Sequence, residues 1–159
     1  MNIEPLKELA LFDKFPKRAL NALAGVMQLQ DWKSGEVILQ QGSASDGVYL
    51  ILDGRVQVEL KTSTGATVVV NQLMKGDLFG ALSTLDGGSR GATCVAKSPV
   101  SGAFLNRSDF LELMEGVSPL ALGFQVVIVR SIFSDIRRTN ELYAEFSALE
   151  NLADPSSVD

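Results

Sequence analysis

The sequence predicts a mainly β domain with flanking helices: an eight-stranded antiparallel β-roll, or jelly roll, with short N-terminal helices and a long C-terminal helix. Three observations carry this. Between Leu29 and about Asn106 the chain is a series of short β-like runs divided by glycines, from Gly35 and Gly42 through to Gly102. Before that stretch, apolar residues recur at helical spacing. After it comes one long helical pattern entered at Ser118-Pro119, a capping residue followed by a proline suited to the first helical position.

The N-terminal segment supports two short helices, one carrying Leu6, Leu9, Ala10 and Leu11, the other carrying Ala19, Leu20, Leu23, Ala24 and Met27 after Pro16. The clearest β-hairpin spans Val48–Leu60, with Asp53-Gly54 expected to supply both positive-φ positions of a tight turn. A second hairpin runs from Val56 through Thr62-Ser63-Thr64-Gly65 to Val70. The chain becomes helical again at Ser108–Met114, pauses at Gly116, and restarts as a helix from about 118 to 152. On that helix Val129, Ile132, Ile136, Thr139, Tyr143 and Phe146 repeat with 3-4-3-4-3 spacing. Such a stripe either forms the seam of a two-stranded coiled coil or packs on its own barrel.

Composition bounds the function. With 159 residues and 46% hydrophobic content the chain suits one domain, residues 1–152, followed by a polar tail, 153–159, expected to be disordered. No run approaches about 18 consecutive apolar residues, and the first residues lack a signal peptide's pattern, so no membrane segment and a cytoplasmic location are expected. The lone cysteine, Cys94, sits in a run that suggests a buried strand. There is no histidine. That removes imidazole-paired nucleophiles and histidine-built metal sites, so no metal, no cofactor and no catalytic group are expected. A net charge of −5 without a basic cluster opposes direct nucleic-acid binding. Arg137 and Arg138 share their helix with Asp135 and Glu141 and suggest a solvated face.

The stretch Leu73–Ala96 carries the chemistry. A strand ends at Gly76-Asp77, Phe79-Gly80 turn the chain, and Ala81–Leu85 can form one helical turn before a glycine-rich loop delivers Arg90. Amides opening a helical turn lack intrahelical partners and can hold an anion. Arg90 could add a bidentate pair of hydrogen bonds to two phosphate oxygens, or be a solvated surface residue. Gly80 and Gly91 would let backbone approach a ligand. Asp77 suggests a turn carboxylate that bonds nearby amides.

Gly42, Asp46, Tyr49, Ile51 and Gly54, followed by Gly76-Asp77-Leu78-Phe79-Gly80 and Ser89-Arg90-Gly91-Ala92-Thr93, resemble the cyclic-nucleotide-binding domain of catabolite-activator-type regulators and protein kinase A regulatory subunits. The resemblance implies that Arg90 neutralises a cyclic phosphate, with the amides of Gly91 and Ala92 on one side and Ala81 and Leu82 on the other. Val58, Val70 and Asn71 match strand positions that line the nucleotide, and Thr139 and Asn140 fall where the long helix meets the base. It also implies a sensor that signals to an unidentified protein partner. The stripe on the C-terminal helix is expected to make it a homodimer, and the DNA-binding domain that follows this helix in activator-type members is expected to be absent, since the sequence stops short of one. One departure stands out: Ala81 occupies the place of a glutamate that holds the ribose 2′-hydroxyl in the family. Losing a charged hydrogen bond costs about 1.5–3 kcal/mol. Gly91 offers no hydroxyl where guanine-selective members carry threonine, so cAMP is expected over cGMP. The alternative is a degenerate member that binds no nucleotide and serves as a dimerisation or docking module. A cupin-type enzyme would need the missing histidines.

Overall fold

The computed structural model describes residues 1–153 in backbone and 1–148 in side chains, so the expected disorder of the tail lies outside the described residues. The chain runs α1 (Glu4–Lys7), a 3-10 turn (Ala10–Phe12), α2 (Lys17–Val26), β1 (Gln28–Trp32), β2 (Val37–Leu39), β3 (Gly47–Asp53), β4 (Arg55–Lys61), β5 (Thr67–Met74), β6 (Leu78–Phe79), α3 (Ala81–Asp86), β7 (Thr93–Ala96), β8 (Val100–Asn106), α4 (Arg107–Glu115) and α5 (Pro119–Ala153). The eight strands form two antiparallel four-stranded sheets, β1-β8-β3-β6 and β2-β7-β4-β5. This is the β-roll the sequence predicts. The first of the two expected N-terminal helices is instead a four-residue helix and a 3-10 turn.

The period-2 geometry of β3 divides the core. Val48, Leu50 and Leu52 face a cluster formed with α2, α4 and α5, in which Leu23, Leu105, Phe110, Phe124 and Ile128 are fully buried. Tyr49 and Ile51 point the other way, into the roll, beside Val56, Leu73, Phe79 and Cys94.

The expected hairpin at Asp53-Gly54 does not form. β3 pairs with β6 and β8, whereas β4 pairs with β5 and β7, so this turn carries the chain from one sheet to the other. Only Gly54 has a positive φ, +95°. The reason is steric: a Cβ there would collide with the carbonyl of Pro99 and the backbone of Val100. The second hairpin forms as expected, β4 against β5 with Leu60 opposite Val68, closed by Thr62 N–H to Ala66 O at 2.8 Å and by Gly65 at φ +87°.

Asn106 caps α4, its side-chain oxygen accepting from Asp109 N–H at 3.0 Å, and Ser118 caps α5 by accepting from Ala121 N–H at 3.1 Å. The Gln125 amide donates to the carbonyls of Leu113, Met114 and Gly116 at 2.8–3.2 Å, which satisfies the end of α4 and fixes the α4–α5 elbow. One 18-residue stretch of α5, with mean hydropathy 1.4, is apolar enough to cross a bilayer by length and composition. Its inner face, Ala121, Phe124, Val127 and Ile128, is buried in the core.

Candidate functional site

The cassette between β6 and β7 is shaped by two left-handed glycines. Gly80, at φ +81°, opens α3, and Gly87, at φ +74°, closes it. The turn before the cassette is held as the sequence predicts: Asp77 Oδ2 accepts from the N–H of Met74 at 2.9 Å. Arg138 of α5 lies 3.6 Å from Asp77, and Ser131 donates to Leu78 O at 3.0 Å, so α5 is fastened to the strand that enters the cassette.

Arg90 is 2% exposed, so it is no solvated surface residue. A buried guanidinium must find partners. Its Nη1 donates to Gly80 O at 2.7 Å and to the hydroxyls of Ser83 at 3.0 Å and Thr84 at 3.4 Å. Its Nη2 donates to Gly47 O and to Asp46 Oδ1, each at 2.6 Å. The Tyr49 hydroxyl donates to the other Asp46 oxygen at 2.9 Å. Both terminal nitrogens are thus committed to protein, whereas Nε is a buried donor without a partner. The bidentate fork expected for a ligand is therefore not free as it stands. An anion finds one unused N–H, and gains a second only by drawing Nη2 from Asp46.

Gly80 differs from its expected role in the same way. A Cβ there would stand 2.6 Å from Arg90 Nη1, so the absent side chain makes room for the arginine rather than for a ligand. At Gly91 a Cβ would meet no atom within 4 Å, which leaves the space beside its backbone open.

All eleven expected site residues line one cavity of about 520 Å³. Gly80, Ala81 and Leu82 border it from α3; Arg90, Gly91 and Ala92 from the following loop; Val58, Val70 and Asn71 from β4 and β5; Thr139 and Asn140 from α5. Val70 and Asn71 are adjacent, yet both reach it, because the β4–β5 register shifts there: Val58 faces Asn71 and Glu59 faces Val69, leaving Val70 as the extra residue of a bulge. Phe79, Cys94, Ile132 and Ile136 supply much of the apolar wall.

The electrostatics are simple. Arg90 is the cation of the lining, and Asp86 and Asp135 are its carboxylates. Burial raises the pKa of Asp135; nearby Arg138 lowers it and Asp77 raises it further. Burial pushes the Cys94 thiol up to about 12, so it is protonated and unreactive at neutral pH. Burial, and then the hydrogen bond to Asp46, raise the Tyr49 phenol. Among the described residues no group of histidine, cysteine and carboxylate side chains is arranged to hold a metal.

Sequence reasoning gave no role to Asp46, Ser83 or Thr84. Asp46 is three residues before Tyr49, a spacing that a strand entry can bring together, but nothing local reveals that Asp46 also meets an arginine 44 residues away.

A β-roll with a cavity walled by apolar side chains and floored by one buried arginine beside a short helix defines a small-ligand-binding module. Residues 29–116, more than half of the chain, match the model of the cyclic nucleotide-binding domain. The chain belongs to that family. It is 28% identical over 155 residues to a cGMP-dependent protein kinase of Plasmodium berghei, covering 96% of this chain and 17% of that one. It is 31% identical over 109 residues to a cAMP-dependent protein kinase regulatory subunit of Yarrowia lipolytica, covering 69% and 28%. The chain thus spans less than a third of the length of these relatives. Among solved structures it superposes on a cyclic nucleotide-binding domain from Methylobacillus flagellatus with TM-score 0.77 and 24% identity, over 87% of this chain and 78% of that one. It also superposes on the Thermus thermophilus catabolite activator protein with TM-score 0.67 and 25% identity, over 88% and 62%.

Proposed function

We propose that this domain is a regulatory sensor that binds a 3′,5′-cyclic nucleotide, cAMP in preference to cGMP, and relays occupancy through α5 to a partner protein. The observation that carries the reading is the unpartnered, buried Nε of Arg90, one of the eleven residues that border the cavity. A donor left unsatisfied inside a protein is costly, and a phosphate oxygen is the acceptor that best repays a cation. Gly91 and Ala92, Ala81 and Leu82 would add their amides, Val58, Val70 and Asn71 would enclose the sugar, and Thr139 and Asn140 would meet the base. The relay would run through the attachment of α5, by Ser131 and Arg138, to the strand that enters the cassette. Movement of the cassette toward a ligand would shift the population of α5 positions. The domain acts without a catalytic step, in the cytoplasm, and meets a second copy through α5.

A second reading is favoured by Ala81 and by the grip of Asp46 on Arg90 Nη2: a degenerate module that binds no nucleotide and acts by dimerisation or docking. The fold also serves a regulatory subunit described as belonging to a cAMP-independent protein kinase A of Trypanosoma brucei, which superposes with TM-score 0.71 and 23% identity over 91% of this chain and 50% of that one. Thermal denaturation in the presence of cAMP, cGMP and adenosine separates the readings. Stabilisation by cAMP above cGMP, with little from adenosine, supports the sensor. No shift with either cyclic nucleotide at millimolar concentration supports the docking module.

A further inference from the structure

Ser131, Asp135 and Arg138, spaced 4-3 and so on one face of α5, address the β5–β6 corner at Gly76–Leu78. Ser131 donates to Leu78 O at 3.0 Å and Arg138 lies 3.6 Å from Asp77. Asp135, between them, borders two cavities: that of the ligand, and a second of about 160 Å³ that it shares with Asp77, Arg130 and Ser134.

Two carboxylates meet one arginine at this corner. Arg138 is paired with Asp77, whereas the Asp135 carboxylate has neither an ion pair nor a hydrogen bond among the described residues. The groups that face it are Arg138 and Arg130 from its own helix, Asp77 from the corner, and Arg90, Asp86 and the Cys94 thiol from the ligand cavity. The 3-10 turn brings only Leu11, and Lys75, beside the corner, is held by Glu8 at 2.8 Å. A half-buried carboxylate without a partner resists ionisation, and a second carboxylate nearby adds to the resistance. Burial accordingly raises the pKa of Asp135, Arg138 opposes the rise and Asp77 adds to it. Lifting α5 from the corner returns Asp135 to water and to the ordinary carboxylate range. The chain has no histidine, so no imidazole overlays this titration.

We propose that Asp135 holds a proton while α5 is docked on the β5–β6 corner and gives it up to solvent when α5 lifts away, so that this helix is held in acid and released as the pH rises. The proposal adds a proton to the relay assigned to α5 and stands whether or not a nucleotide binds. Cys94 is the native reporter: it is 5% exposed and lines the cavity that Ile132 and Ile136 of α5 also border, so lifting the helix uncovers it. The test is the rate at which N-ethylmaleimide labels the ligand-free full chain from about pH 4.5 to about pH 8, divided by the rate for the urea-unfolded chain at the same pH. Protection is expected to fall by up to about tenfold per pH unit above the ordinary carboxylate range and to level off above the raised value. Asp135→Asn is expected to remove this slope and to keep at high pH the protection that wild type has only in acid. Arg138→Gln, which takes away the opposing cation, is expected to move the levelling-off to higher pH. Low urea is expected to change the labelling rate little, because a lifting helix exposes far less surface than unfolding does. A pH-independent protection in wild type, a slope unchanged in Asp135→Asn, or a labelling rate that rises with urea as steeply as global unfolding would overturn the proposal. Failure of cAMP to bind, with the slope intact, would remove the sensor reading and leave this one standing.

Discussion

Arg90 Nη1 lies 2.6 Å from the point a Cβ on Gly80 would occupy, so the glycine that opens the cassette and the arginine that follows it are a fitted pair. Gly80→Ala adds a methyl at φ +81° and against the guanidinium. Each effect alone costs on the order of 1–2 kcal/mol. Chemical denaturation is expected to show a loss of about 2–4 kcal/mol by adding the two, with any cAMP response lost together with it.

Asp46 is the only carboxylate bonded to the buried Arg90 among the described residues, and its own side chain is 60% exposed. Removing one partner of a fully buried pair costs about 3–5 kcal/mol, and this exposure reduces it. Asp46→Asn is expected to lower stability by about 1–3 kcal/mol without ligand. Because a neutral amide oxygen holds Nη2 less strongly than the carboxylate does, the same variant is expected to be stabilised by cAMP more than wild type is, measured by the ligand-induced rise in Tm.

At Ala81 the methyl is 6% exposed and borders the cavity. If the site takes a ribose in the manner of the family, Ala81→Glu restores an acceptor for the 2′-hydroxyl. Isothermal titration is expected to show cAMP affinity rising about 10- to 100-fold, and 2′-deoxy-cAMP affinity unchanged.

Asp135 has its pKa raised by burial, so the folded state binds its proton more readily than the unfolded chain. Its contribution is favourable in acid, below the unfolded carboxylate range, and is lost as pH rises through the raised value. Asp135→Asn is therefore expected to be more stable than wild type at neutral pH, with the difference shrinking toward acid. Urea denaturation across that range checks the sign.

Much of the roll is legible in the sequence because glycines and period-2 alternation are local signals. The β4–β5 hairpin follows from its polar turn, and α5 from Ser118-Pro119. The Asp53-Gly54 turn misleads for a physical reason: an Asp-Gly pair suits both a tight hairpin with two positive φ and a crossing between sheets with one, and the close approach of Pro99 and Val100, distant in sequence, accompanies the second. The cavity's lining is legible because the cassette and strand positions recur as a pattern, whereas the orientation of Arg90 depends on Asp46 and Gly47, far away in sequence. The bulge that turns both Val70 and Asn71 inward has no local mark either.

The central claim is that Arg90 Nε awaits an anionic oxygen. A crystal structure of the protein grown with cAMP tests it most directly. The account predicts a phosphate oxygen at about 2.7–3.0 Å from Nε, with Gly80 O still bonded to Nη1. An empty cavity at saturating cAMP, or a nucleotide whose phosphate lies away from Arg90, would contradict it.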